Sequence, residues 1–146
     1  MKIHIVILMG IMSIGLILAS ENKKSDTTVE IKPSGAVTAF NKEDGFKLSE
    51  KAMKNLGISF NSINGNGPWA IPKSSLVRIK HSVGVYRKWD GWITMVLVDI
   101  IGQTNNTVIV KSLDLEAKDE VAITGVSFLR MTEADLNSDT VDACAH

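Results

Sequence analysis

The hydrophobic pattern is densest from residue 92 to residue 125, and the rest of the chain is read around that stretch. Residues 92–101 are apolar and rich in β-branched side chains, 102–106 interrupt with Gly and Asn, 107–111 resume the apolar run, and 119–124 form a third run that stops at Gly125. β-Branched runs bounded by Gly and Asn predict strands joined by turns. In the first run both parities are largely apolar: Ile93, Met95 and Leu97 on one side, Val96, Val98 and Ile100 on the other. A strand with one wet face alternates cleanly, so this one is expected to be covered on both faces.

Upstream, Ser49 suits a helix N-cap, Ala52, Met53 and Leu56 share one helical face, and Gly57 stands where a left-handed C-cap is wanted, which predicts a short helix over 49–56. Ile58 and Phe60 alternate into a strand, and Asn64, Gly65, Asn66, Gly67 and Pro68 break it. Pro72 makes the next segment an edge strand or a strand followed by a turn. Asp90 and Gly91 predict a tight turn before the long strand. Val29 to Ile31 and Ala36 to Phe40 are candidates for short added strands, and residues 130–136 for one or two helical turns. With no βαβ alternation, the expected architecture is mainly β: a small barrel with one short helix. It is expected to be closed by the strand after Gly57 and by residues 71–79. One face of 92–101 should pack inside it and the other under the 49–56 helix or against a partner.

Residues 1–20 change the picture of where this domain works. Lys2 precedes a long apolar run that ends in small residues before Glu21, the layout of a secretory signal peptide or an N-terminal anchor. The expected organisation is therefore a signal or anchor over 1–20, a flexible linker over 21–42, the β-domain over 43–136 and a flexible tail over 137–146. The expected compartment is the periplasm, outside the cytoplasmic membrane. The 16 basic and 16 acidic residues balance, so no basic field exists for nucleic acid.

Candidate chemistry is sparse. Cys144 is the single cysteine, which excludes an intrachain disulfide. With His146 it forms a Cys-x-His pair, donors suited to Cu or Zn, and a small periplasmic metal-binding protein is the alternative function. The carboxylate neighbours Asp119 with Glu120 and Glu133 with Asp135 read as solvated surface, and no hydrolase or phosphate-loop motif occurs. Tyr86, Trp89 and Trp92 cluster around Asp90 and Gly91, beside Arg87 and Lys88. Amphipathic aromatics at a loop tip suit a protein or membrane interface, and these three are the candidate partner-binding residues.

Three segments carry a family resemblance. Residues 47–58, with Leu48, Ser49, Gly57 and Ile58, resemble the opening segment of heavy-metal efflux periplasmic adaptors, the membrane fusion proteins of the HlyD/CusB type that serve RND pumps. Residues 71–77, with Pro72, Ser74, Leu76 and Val77, resemble a second segment of that family. Residues 113–129, with Asp119, Val121, Gly125 and the apolar pair Phe128 and Leu129, are similar to a third, although Lys118 stands where the family carries Gly. The last two belong to the adaptor's membrane-proximal part. Only a short stretch broken at residues 64–68 separates the first segment from the second, where an adaptor carries its lipoyl-like domain and α-hairpin. The resemblance implies a trimmed adaptor: an exported, non-enzymatic accessory protein whose partner is an RND-type efflux pump or a full-length adaptor.

Overall fold

The computed structural model describes residues 29–30 and 35–142. The expected signal or anchor over 1–20 lies outside them, as do Cys144 and His146. Among the described residues no helix is long and apolar enough to cross a membrane.

The fold is mainly β, as the patterning predicts, but it is built from open sheets and not from a closed barrel. The larger sheet has eight strands: β1 (Val29–Glu30), β2 (Val37–Asn41), β3 (Gly45–Leu48), β4 (Ser59–Ser62), β6 (Val77–Ile79), β7 (Ser82–Trp89), β8 (Trp92–Leu97) and β11 (Glu120–Thr124). Its order is β1-β2-β3-β8-β7-β11-β4, and β6 lies beside the first half of β7. The smaller sheet has three strands, β5 (Trp69–Pro72), β10 (Thr107–Lys111) and β9 (Asp99–Gln103), in the order β5-β10-β9.

The barrel fails to close because the long apolar run divides. The amide of Val98 still donates to the Val83 carbonyl at 2.9 Å, and from Asp99 the chain pairs with β10 instead. Residues 71–79 divide too, into β5 of the smaller sheet and β6 of the larger, around a short 3₁₀ turn (Lys73–Ser75). The smaller sheet lies across part of one face of the larger. Trp69, Ile71, Val108 and Val110 meet Val85, Val96, Val98 and Val121 in a dry layer between them. Each buried aliphatic here contributes roughly 1.5–3 kcal/mol through area removed from water.

The other face carries a second core of Phe46, Leu48, Ile58, Val77, Tyr86, Ile93, Ala122 and Leu129. It is roofed by two helices, α1 (Glu50–Asn55) and α2 (Val126–Asp142). Strand β8 is covered on both sides as far as Val96, but the expected cover of 92–101 ends there: Leu97, Ile100 and Ile101 are exposed. Val96 joins the layer between the sheets, while Ile93 and Met95 join the helical side, where Met53 and Leu56 of α1 also pack. Helix α1 follows its sequence signals closely. The Ser49 hydroxyl accepts from the Ala52 amide at 3.2 Å. Gly57, at φ +61, lets its own amide reach the Lys54 carbonyl and the Ile58 amide reach the Met53 carbonyl, the paired bonds of a Schellman C-cap.

Two boundaries differ from the expected organisation. The described part of 21–42 is not a linker, since β2 pairs with β3 along its length and β1 pairs with β2. The polar composition there suits strands at a sheet edge. The expected single short helix is joined by a second of 17 residues, which carries through Asp142 into the 137–146 stretch read as a tail. Among its described side chains the apolar contacts come from Val126, Leu129 and Leu136, too few there for a strong helical stripe, so docking to the sheet holds this part of the helix.

Lys118 has φ +80 and turns the chain into β11: its amide donates to the Ile63 carbonyl at 2.8 Å and the Asp119 amide donates to the Glu116 carbonyl at 3.2 Å. A left-handed lysine costs about 1–2 kcal/mol, and glycine's greater freedom when unfolded returns about 0.5–1 of that. Lys118→Gly is therefore expected to raise stability by about 0.5–1 kcal/mol, read as a higher urea midpoint at unchanged slope.

Candidate partner-binding site

Strands β7 and β8 are joined by Asp90 and Gly91 alone, at φ +48 and +78. Two consecutive positive φ values make the type I′ turn whose twist matches a hairpin, and Asp-Gly is a sequence that favours it. Trp89 and Trp92 face each other directly across this turn. Trp89 is 59 % exposed. Trp92 is half-buried, because Lys47 of β3 lies over it with Nζ 4.8 Å from the ring centre. The same Nζ donates to the Asp90 carbonyl at 2.9 Å. One lysine thus locks the turn and covers one indole, leaving the other in water.

The flanking cations are fixed as well. Lys88 pairs with Glu120 at 2.9 Å and lies 4.8 Å over the Phe60 ring. Arg87 donates to the Asp114 carbonyl at 2.8 Å and stands 3.7 Å from the buried Asp119 carboxylate, whose oxygen also accepts from the Glu116 amide. Arg87 thereby ties the loop after β10 to the hairpin strand. That loop presents Leu113, which is 94 % exposed.

Of the three aromatic candidates, the structure brings Trp89 and Trp92 together and removes Tyr86. Tyr86 is fully buried and sits on the opposite face of β7, where it donates from its hydroxyl to Glu133 Oε2 of α2 at 2.7 Å. Successive strand residues alternate faces. Residues 86 and 89 are an odd number apart, so that separation already assigns them to opposite sides. Burial, and then the bond to the Glu133 carboxylate, push the Tyr86 phenol well above its ordinary value of 10.0. Trp69 is also core, with its indole N–H donated to the Gly65 carbonyl at 3.2 Å. Lys47 is not legible in the sequence as a member of this surface, because it reaches it only through the pairing of β3 with β8.

The metal candidates Cys144 and His146 lie outside the described residues. Among the described residues no group of three or more His, Cys, Asp or Glu side chains is placed to hold a metal ion. No family model matches the chain, nor does any curated protein or solved structure.

The arrangement is therefore an exposed indole on a two-residue turn, next to a second indole that Lys47 half covers. The Lys47 bond to the Asp90 carbonyl holds the turn beneath it, so the backbone there is already ordered before the indole enters a pocket on another surface.

Proposed function

We propose that this protein is an exported, non-enzymatic accessory protein of transmembrane heavy-metal efflux that acts by protein–protein contact close to the membrane. Its partner is an RND-type pump or a full-length periplasmic adaptor. The observation that carries the contact mode is Trp89, an exposed indole on a braced hairpin. Trp is the residue type most often found to dominate interface energetics, and a pre-ordered anchor avoids much of the entropy lost on docking. The partner class is supported by the order of the three adaptor-like segments, and the compartment by the signal-like residues 1–20.

Affinity capture from native membranes tests this. The full chain is expected to retain a pump or adaptor component. Trp89→Ala should lower that capture about thirtyfold, the equivalent of about 2 kcal/mol, while thermal stability stays within about 0.5 kcal/mol of the parent, as for other surface changes. Retention of neither component, or equal retention by the variant, would count against it.

A further inference from the structure

The loop between β4 and β5 carries the chain's only two Asn-Gly steps, Asn64–Gly65 and Asn66–Gly67. All four residues are exposed. Among the described residues neither asparagine side chain has a hydrogen-bond partner, and neither glycine donates its amide to an acceptor. Asparagine before glycine cyclises readily, because no side chain shields the following amide nitrogen from the carboxamide carbon. Exposed loop tips are also where the fold restrains the backbone least.

The two steps differ in their surroundings. A side-chain carbon built on Gly65 would meet nothing within 4 Å, whereas one on Gly67 would stand 3.0 Å from the Trp69 ring. Cyclisation turns the peptide plane between the asparagine and the glycine. At 64–65 it turns in open space. At 66–67 it must slide Gly67 along a ring that is buried in the layer between the sheets. A restraint on reaching the cyclic transition state is read as a slower rate.

We propose that Asn64 is a self-modifying site, converted in the folded protein to isoaspartate and aspartate ahead of Asn66. The Gly65 amide nitrogen gives its proton to solvent base and attacks Asn64 Cγ. The new C–N bond closes a five-membered succinimide, the Cγ–Nδ2 bond breaks, and ammonia leaves with a proton from water. Water then opens the ring. Attack at Cγ restores the original backbone with an aspartate side chain, and attack at the main-chain carbonyl carbon gives isoaspartate, whose backbone runs through the side-chain methylene. Water is consumed and ammonia released, with no change of oxidation state.

Isoaspartate lengthens the backbone by one carbon between two fixed points. On one side the Ile63 amide donates to the Asp119 carbonyl at 2.9 Å, and the Ile63 carbonyl accepts from the Lys118 amide at 2.8 Å. On the other the Gly65 carbonyl accepts the Trp69 indole N–H at 3.2 Å. The lone indole bond yields before the pair at Ile63, so the isoaspartyl form loosens the loop over Trp69.

The test is incubation of the full chain in a mildly alkaline buffer with nonionic detergent, followed by peptide mass mapping with fragmentation. Asn64 is expected to gain one mass unit about tenfold faster than Asn66. It should also outpace Asn105, which is exposed but is not followed by glycine. In urea, where Trp69 no longer restrains Gly67, Asn64 and Asn66 should convert at similar rates. Asn64→Gln should stop the gain at this position and leave the slower gain at Asn66. The isoaspartyl fraction, separated by chromatography, should unfold at a lower urea midpoint than the unmodified chain. Conversion of Asn64 no faster than that of Asn105 or Asn66 in the folded protein overturns the proposal, and so does a preference for Asn64 that persists unchanged in urea. An unchanged midpoint in the isoaspartyl fraction overturns the loosening at Trp69.

Discussion

Gly45→Ala is expected to lower stability by about 3 kcal/mol or more, with a fall of roughly 15 °C in Tm. Gly45 opens β3 at φ +95, a backbone conformation that favours glycine. A Cβ at this position would collide with the carbonyl oxygen of Ile93 and would also stand 3.1 Å from the Thr94 Cβ. The obstacle is backbone, so no rotamer change removes it. Strand β3 must move away from β8, and the pairing of Phe46 with Ile93 is the contact that fixes where these strands meet. Both residues are buried in the core beneath the helices, and Lys47, the next residue of β3, is the one that braces the tryptophan tip. The same substitution is therefore expected to raise the exposure of Trp92, seen as a red shift of its emission in protein that remains folded. A variant as stable as the parent would show that the close approach of β3 to β8 is not a fixed feature of the fold.

Leu129→Ala is the second large effect, about 3 kcal/mol. Leu129 is fully buried and is the innermost contact between α2 and the larger sheet. The cavity left by its truncation can be refilled only by shifting the helix. Among the described side chains of the helix only Val126 and Leu136 join Leu129 in the core, so the expected result goes beyond a lower urea midpoint to a looser α2. Tyr86 reports this directly, because it is the only tyrosine in the chain. Its folded-state pKa is raised above the unfolded value near 10.0. The neutral phenol thus contributes stability that is fully present below that value and is lost as pH climbs above it. In the parent, tyrosinate absorbance should appear only with unfolding. In Leu129→Ala it should appear at lower pH, as the Tyr86–Glu133 bond opens with the helix. Unchanged tyrosinate onset in the variant would mean that α2 is held by other contacts.

What the sequence discloses depends on how local each cause is. The α1 helix is legible because its caps, Ser49 and Gly57, act within a few residues of the turns they close. The Asp90–Gly91 turn is legible for the same reason. The break of the long apolar run at Val98 is not, since nothing in residues 92–101 says that β7 ends its claim on the chain there and β10 begins its own. That single change of partner turns an expected barrel into two open sheets. Helix α2 was visible only in part, because its stability comes from Leu129 and Tyr86 docking it to the sheet and not from a regular apolar stripe. At the tryptophan tip, proximity along the chain suggested three contact residues, while strand alternation separates Tyr86 from Trp89. The positive φ of Lys118 is equally hidden, because it is set by the bond of its amide to the distant Ile63 carbonyl.

The central claim is that the braced tryptophan tip meets a component of an efflux assembly, and site-specific crosslinking tests it most directly. A photoreactive phenylalanine derivative placed at position 89 of the full chain and irradiated in native membranes is expected to join it to a pump or full-length adaptor. The same group at position 51, on the exposed side of α1, should not. Crosslinks from position 89 to no such component, or crosslinks of equal yield from both positions, would contradict the account.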